Sequence, residues 1–380
     1  MERGTAMQTY YPGKDPNIRV YGRTNLISPL PLYWAASGIE FYTDASDCIL
    51  ELSADYDNLE QWIRVEVNDY QVIRMPLNRG VNRILVFQGM QFSGNKKVHL
   101  YKEVQPMGGE STNSLFVNKV ECNGSLLDLP PFSMRIEFVG DSITSGEGLA
   151  GNEKMQDWIA SVFSNAGHYA LATAKELNAD YRLISQSGWG TYCSWDNQPQ
   201  NVLPRIYDEV CSVYEEGPNV DAGCLERADF DKWKPDVVVI NLGTNDEAAF
   251  HNAPWTDPET GITYAQKLLE NKTLEPESVA RFTQAMDAFL RKLRMRNPQA
   301  ELLWVCGMLS DEMVGDGLIP SMEETIDRYR KETGDTKVHF QKLPDTRPEW
   351  IGARMHPGVP SHQETAKVLV QTIRKLTRMS

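Results

Sequence analysis

Four short segments carry the residue types that acyl transfer needs. Gly140-Asp141-Ser142-Ile143-Thr144 offers a hydroxyl nucleophile beside a glycine, and Ser185-Gln186-Ser187-Gly188-Trp189-Gly190 offers a backbone amide unshielded by a side chain. Gly243-Thr244-Asn245-Asp246 adds a side-chain amide. His356-Pro357-Gly358 adds an imidazole, which titrates near neutral pH. A serine needs a base to attack a carbonyl, and the oxyanion so formed needs prepositioned N–H donors. Each segment also has an ordinary reading. Asp141 or Ser142 could cap a helix. The glycines around position 188 could only make a turn, Asn245 could cap or turn, and a loop histidine is often incidental. Thr144 also rules out the GxSxG elbow.

What gives the four segments weight is the set of elements that would position them. Arg135–Val139, Tyr181–Ser185, Asp236–Leu242, Glu301–Cys306 and Lys337–Gln341 read as strands. His168–Leu177, Pro276–Met295, Pro320–Thr333 and Ser361–Met379 read as helices. The run DVVVINL is continuously apolar, as a strand buried on both faces must be. Alternating strands and helices imply a parallel sheet covered by helices, and chemistry in such sheets gathers at the carboxyl ends of the strands. All four segments fall in loops following these elements, in chain order.

The chain before this region has a different rhythm. Asp47–Ala54, Gln61–Val67, Tyr70–Met75, Asn82–Gln88 and Lys97–Val104 are short β-rich runs. Asn68-Asp69, Asn78-Arg79-Gly80 and Ser93-Gly94-Asn95 serve as turns between them. This pattern predicts a β-sandwich, a jelly roll, over 1–130. The prolines within Gly124–Ser133 mark the boundary with an α/β domain over 131–380.

At 380 residues two domains are expected, and 41% hydrophobic with 24% charged residues fits a folded globular chain. The net charge of -14 disfavours nucleic-acid and anionic-membrane partners, since both carry the same sign. The opening MERGTAMQTYYPGKD lacks the apolar core of a signal peptide. Cys48, Cys122, Cys193, Cys211, Cys224 and Cys306 show no metal-ligand spacing. These features predict reduced thiols in a cytoplasmic protein; a secreted protein whose leader has been removed is the alternative.

Taken together, GDSI, the SGWG glycine, GTND and the late HP resemble the four blocks of the SGNH (GDSL-type) hydrolases. The resemblance implies a flavodoxin-like three-layer α/β/α domain with Ser142 as nucleophile and His356 as base. It also implies an oxyanion hole from the amides of Ser142 and Gly188 and the Asn245 side chain, with no cofactor and no metal. One position departs from the pattern. The family usually has an aspartate three residues before the histidine, and here that residue is Ala353. Either a backbone carbonyl near Ala353 orients the ring, giving a Ser-His dyad, or an acid from elsewhere does so, Asp345 and Glu349 being nearest in sequence. His362 is a rival histidine whose place at the opening of the last helix favours a structural role.

A β-sandwich fused to an SGNH domain resembles carbohydrate esterase family 2, as does Arg19–Thr24 (RVYGRT). That resemblance implies removal of O-acetyl groups from xylan, mannan or glucomannan, often at the sugar 6-position. It makes an acetylated oligo- or polysaccharide the expected partner. Trp189, Tyr192, Trp195 and Trp255 follow the motif blocks and could stack on pyranose rings, and Asp141 is a further candidate substrate contact. Two alternatives stand: a lipase or thioesterase of the same class, and a non-catalytic carbohydrate-binding protein. Asp246, Glu247 and His251 lie close in sequence, but their spacing matches no trusted metal pattern.

Overall fold

The computed structural model describes residues 6–91, 94–308 and 317–378. Ser93, Met379 and the first five residues, named in the sequence reading, lie outside them. The chain forms two compact units. The first runs to Phe132 and also takes in Trp158–Asn165 and Asp208–Ala228; the second holds the remainder.

The first unit is built of two antiparallel sheets. One orders Gln8–Tyr10, Ser114–Cys122, Cys48–Asp55 and Gly80–Phe87, with Leu30–Pro31 also on Ser114–Cys122. The other orders Leu126–Leu127, Gly38–Thr43, Lys96–Lys102, Trp62–Val67 and Tyr70–Pro76, with Ile18–Tyr21 on Gly38–Thr43. Side chains alternate across a strand. Thus Cys48, Leu50, Leu52 and Ala54 enter a core shared with Ile39, Phe41, Val65 and Leu100 of the other sheet. Glu51, Lys119, Glu121 and Arg83 pair outside it. The sequence reading missed Ser114–Cys122, the strand paired to three others. A register break between Val117 and Lys119 interrupts its alternation, so no period-two pattern shows. It also missed Gln8–Tyr10, Ile18–Tyr21, Leu30–Pro31, Gly38–Thr43 and Leu126–Leu127.

The second unit carries a five-stranded parallel sheet, here labelled β1 Met134–Gly140, β2 Ala179–Ser185, β3 Val237–Asn241, β4 Glu301–Cys306 and β5 Val338–Lys342. Their order is β2-β1-β3-β4-β5, the doubly wound order whose topological switch lies between β1 and β3. Every residue of β3 is buried, which its unbroken apolar sequence requires of a central strand. Tyr169–Glu176 packs on the closing helix Val359–Thr377, and Pro276–Arg296 packs on Ile319–Thr333. All four helices and all five strands fall within a few residues of the sequence expectation. The six cysteines are free and buried. Among the described residues no helix is long and apolar enough to cross a membrane.

Candidate active site

β1 ends at Gly140 and the chain turns at once into the one-turn helix Ser142–Ser145. Asp141 is its N-cap and accepts the Ile143 amide at 3.0 Å. The turn is anchored on its far side, where the Ser145 hydroxyl donates to Ser185 Oγ at 3.0 Å and Thr144 Oγ1 lies 2.8 Å from the Tyr169 hydroxyl. Ser142 therefore stands at the switch between β1 and β3, with 7% of its surface exposed.

His356 reaches it from the loop before the last helix. Its Nε2 lies 2.8 Å from Ser142 Oγ and its Nδ1 lies 2.8 Å from the carbonyl oxygen of Arg354. A carbonyl only accepts, so Nδ1 carries the proton and Nε2 offers the lone pair. The serine O–H is thus the donor in the Ser142–His356 bond. Asp345 and Glu349 are exposed, and the ring's Nδ1 partner is neither of them. His362 is fully buried and accepts the Tyr169 amide at 3.2 Å through Nδ1. Burial, with His168 and His356 nearby, holds its pKa well below the ordinary imidazole range.

Gly188 follows β2 at φ +79°, a conformation L side chains rarely adopt, and an added Cβ there would stand 2.9 Å from Trp195 Cδ1. Among the described residues, no protein acceptor engages the amide N–H of Ser142 or of Gly188. Asn245 lies in the helix Thr244–Ala248 after β3, 8% exposed. Its Nδ2 donates to Asp141 Oδ2 at 3.2 Å and to the Trp189 carbonyl at 3.0 Å. The structure therefore ties Asn245 to both the Ser142 turn and the Gly188 loop.

Asp141, a candidate substrate contact from sequence, is 1% exposed, and its carboxylate is turned inward to Ile143 and Asn245. Its place as helix cap explains the correction. Burial, reinforced by Asp246 and Glu147 and opposed by the Ile143 amide, pushes its pKa up to about 7. Trp189 is half-buried with the Arg205 guanidinium 5.7 Å from its ring, and Trp195 is 49% exposed. Trp255 lies on a short hairpin and tilts against Tyr264 at 5.9 Å; no hydrogen bond or ring contact among the described residues joins it to the four motif residues. Tyr192 is half-buried, close to Arg281.

Three acids have duties the sequence did not reveal. Asp246 is fully buried and receives the amides of Thr191, Tyr192 and Cys193 at 2.7–3.2 Å, bracing the loop that begins at Gly188. Burial raises its pKa to about 6 against those three amides. Glu247 accepts the amides of Gly317 and Leu318. The carboxylates once weighed as metal ligands with His251 are thus occupied by backbone. Glu147 is 3% exposed and accepts from Arg354 Nε at 2.6 Å. A motif search could not find it, because its partner is 207 residues away.

An anchored imidazole bonded to a serine hydroxyl at the carboxyl edge of a doubly wound sheet is the arrangement of a serine-type acyl hydrolase. Residues 138–363 match the GDSL-like lipase/acylhydrolase family, and the chain belongs to that family. It is a carboxylic ester hydrolase. It is similar to the solved acetyl xylan esterase of the rumen bacterium Butyrivibrio proteoclasticus, with 36% identity, TM-score 0.94, and 98% of this chain and 100% of that one covered. A solved family two carbohydrate esterase from Clostridium thermocellum shares the fold at 24% identity and TM-score 0.76, covering 95% and 99% of the two chains. The cellulase/esterase CelE of Acetivibrio thermocellus is 25% identical over 95% of this chain, which spans only 39% of that protein's length.

Two stability outcomes are expected. Asp246→Ala strands three loop amides, those of Thr191 and Cys193 buried, and should cost about 2–4 kcal/mol in urea unfolding. Asp141 has a folded-state pKa of about 7 against an ordinary 3.8. Its contribution to stability is therefore complete below about pH 4 and lost as pH rises through about 7. Asp141→Asn, which stays uncharged, should leave Tm near that of the parent at pH 4 and raise it progressively towards pH 8. A Tm difference independent of pH would contradict the assignment.

Proposed function

We propose that the chain is a carbohydrate acetylesterase that removes O-acetyl groups from plant polysaccharides. Xylan is the first candidate, mannan or glucomannan the second, with the sugar 6-position preferred. One observation carries the mechanism: His356 Nε2 stands 2.8 Å from Ser142 Oγ while its Nδ1 is anchored 2.8 Å away on a backbone carbonyl. Ser142 and His356 then act as a dyad, the Arg354 carbonyl fixing tautomer and direction as a triad acid otherwise does.

Ser142 Oγ attacks the acetyl carbonyl carbon while His356 Nε2 takes the hydroxyl proton. The carbonyl oxygen becomes an oxyanion held by the amides of Ser142 and Gly188 and by Asn245 Nδ2. For Asn245 this means sharing hydrogens now directed at Asp141 and Trp189. Collapse breaks the bond to the sugar oxygen, which leaves as a hydroxyl after taking the proton from Nε2. Water then attacks the acetyl-serine with His356 again as base, releasing acetate and restoring the Ser142 hydroxyl.

The substrate reading is supported by the similarity to an acetyl xylan esterase over 98% of the chain and by the half-buried and exposed aromatics Trp189 and Trp195 beside Gly188. Aromatic faces suit the apolar faces of pyranose rings.

The test is acetate release from acetylated xylan and glucomannan, and hydrolysis of nitrophenyl acetate and butyrate. The parent should release acetate and prefer acetate to butyrate. Ser142→Ala and His356→Ala should each lose about 1000-fold or more in kcat. Preference for butyrate, with no release from either glycan, would overturn the substrate in favour of a lipase-like reading. Full activity in either variant would overturn the dyad.

A further inference from the structure

Glu147 lies beside the serine–histidine pair and belongs to none of the four motif segments. Its amide donates to the Ser142 carbonyl at 3.0 Å, so it is fixed to the turn that carries the nucleophile. Its Oε1 accepts from Arg354 Nε at 2.6 Å, and its Oε2 lies 3.9 Å from His356 Nε2. Ser187, the residue before Gly188, bears on the same carboxylate. One buried acid thus meets the nucleophile turn, the Gly188 loop and the histidine loop.

A triad acid does two things for its histidine. It accepts the Nδ1 proton, and it places negative charge beside the imidazolium that forms when the serine is deprotonated. Ala353 can do neither through its side chain. We propose that these duties are divided: the Arg354 carbonyl supplies the acceptor, and Glu147 is the positioning residue that supplies the charge. Arg354 links the two, since the residue whose carbonyl holds Nδ1 has its own guanidinium clamped by Glu147. The inference rests on the Ser142–His356 reading above.

The electrostatics agree. Burial alone would raise the Glu147 pKa, but His356, Ser187 and Arg354 outweigh it and hold the carboxyl below its ordinary range. It is therefore ionised wherever the histidine must work. The other charged or titratable groups facing this pair are Asp141, on the Glu147 side, and His362, which burial keeps neutral. Replacing Glu147 by Gln removes a negative charge near the imidazolium and leaves Arg354 unpaired. Both changes disfavour a protonated ring.

The experiment is the pH profile of kcat/KM for nitrophenyl acetate in the parent, Glu147→Gln and Glu147→Asp, with Ser142→Ala as blank and circular dichroism to establish folding. In Glu147→Gln the acid limb should move to lower pH by about 0.5–1 unit, with kcat/KM at its plateau down about 10- to 100-fold. Glu147→Asp, which keeps the charge, should return the limb to within about 0.3 unit of the parent. An unmoved limb in Glu147→Gln overturns the proposal: with activity retained the residue is idle, and with activity lost equally in both variants it is only a brace. A parent inert on the ester, or a Ser142→Ala variant as active as the parent, brings down the functional reading itself and this inference with it.

Discussion

The hydrogen bond from His356 Nδ1 to the Arg354 carbonyl sets the terms for everything around it. A carbonyl can turn back to a ring two residues ahead only if the chain between them curls tightly, and here Arg354 and Met355 both sit in the left-handed region, at φ 53° and 59°. For residues other than glycine that conformation costs on the order of 1–2 kcal/mol each. Neighbouring contacts must over-determine it. The Ala353 amide bonds the Gly148 carbonyl at 3.0 Å, the Arg354 amide bonds the Met155 carbonyl at 2.8 Å, and the Gly352 amide returns to the His356 carbonyl at 2.7 Å. The Arg354 side chain adds bonds to Glu147 and to the Gln156 carbonyl. Gly148 has to be glycine for this docking: at φ +83°, an added Cβ would lie 2.6 Å from His356 Cβ. The stretch after Ser142 and the loop of His356 therefore hold each other in shape.

That mutual dependence separates what could be read from the sequence from what could not. β3 was legible because its environment is uniform and so is its composition. Ser142, Gly188, Asn245 and His356 could be singled out as candidates because each follows an element whose end could be placed, and because together they resemble known blocks. Ser114–Cys122 was hidden by its bulge. Arg354 was hidden for another reason, since what matters about it is a backbone torsion and a carbonyl, neither of which has a residue signature. Glu147 and Asp246 act on amides and on a guanidinium distant in the chain, so their identity as acids says nothing of their duty until the loops close. Asp141 carried two readings, helix cap and substrate contact, and a cap turned inward looks the same in sequence as a carboxylate turned outward.

The three buried carboxylates around the serine differ in the one respect that bears on chemistry. Asp141 and Asp246 are compensated by amides, and burial leaves their pKa values up at about 7 and about 6. Glu147 alone among the three bonds a guanidinium, and its pKa moves the other way. Each added anion in a low-dielectric pocket raises its neighbours, as Glu147 and Asp246 do to Asp141. A fully ionised trio is costly, and the raised pKa values of Asp141 and Asp246 express that cost. Glu147 is the one whose pKa is lowered, and its carboxylate lies 3.9 Å from His356 Nε2, where the proposed dyad would develop positive charge. An aspartate at position 353 would have placed both acceptor and charge on one side chain. With alanine there, the fold draws them from a strained backbone and a half-buried ion pair, and Arg354 supplies one half of each.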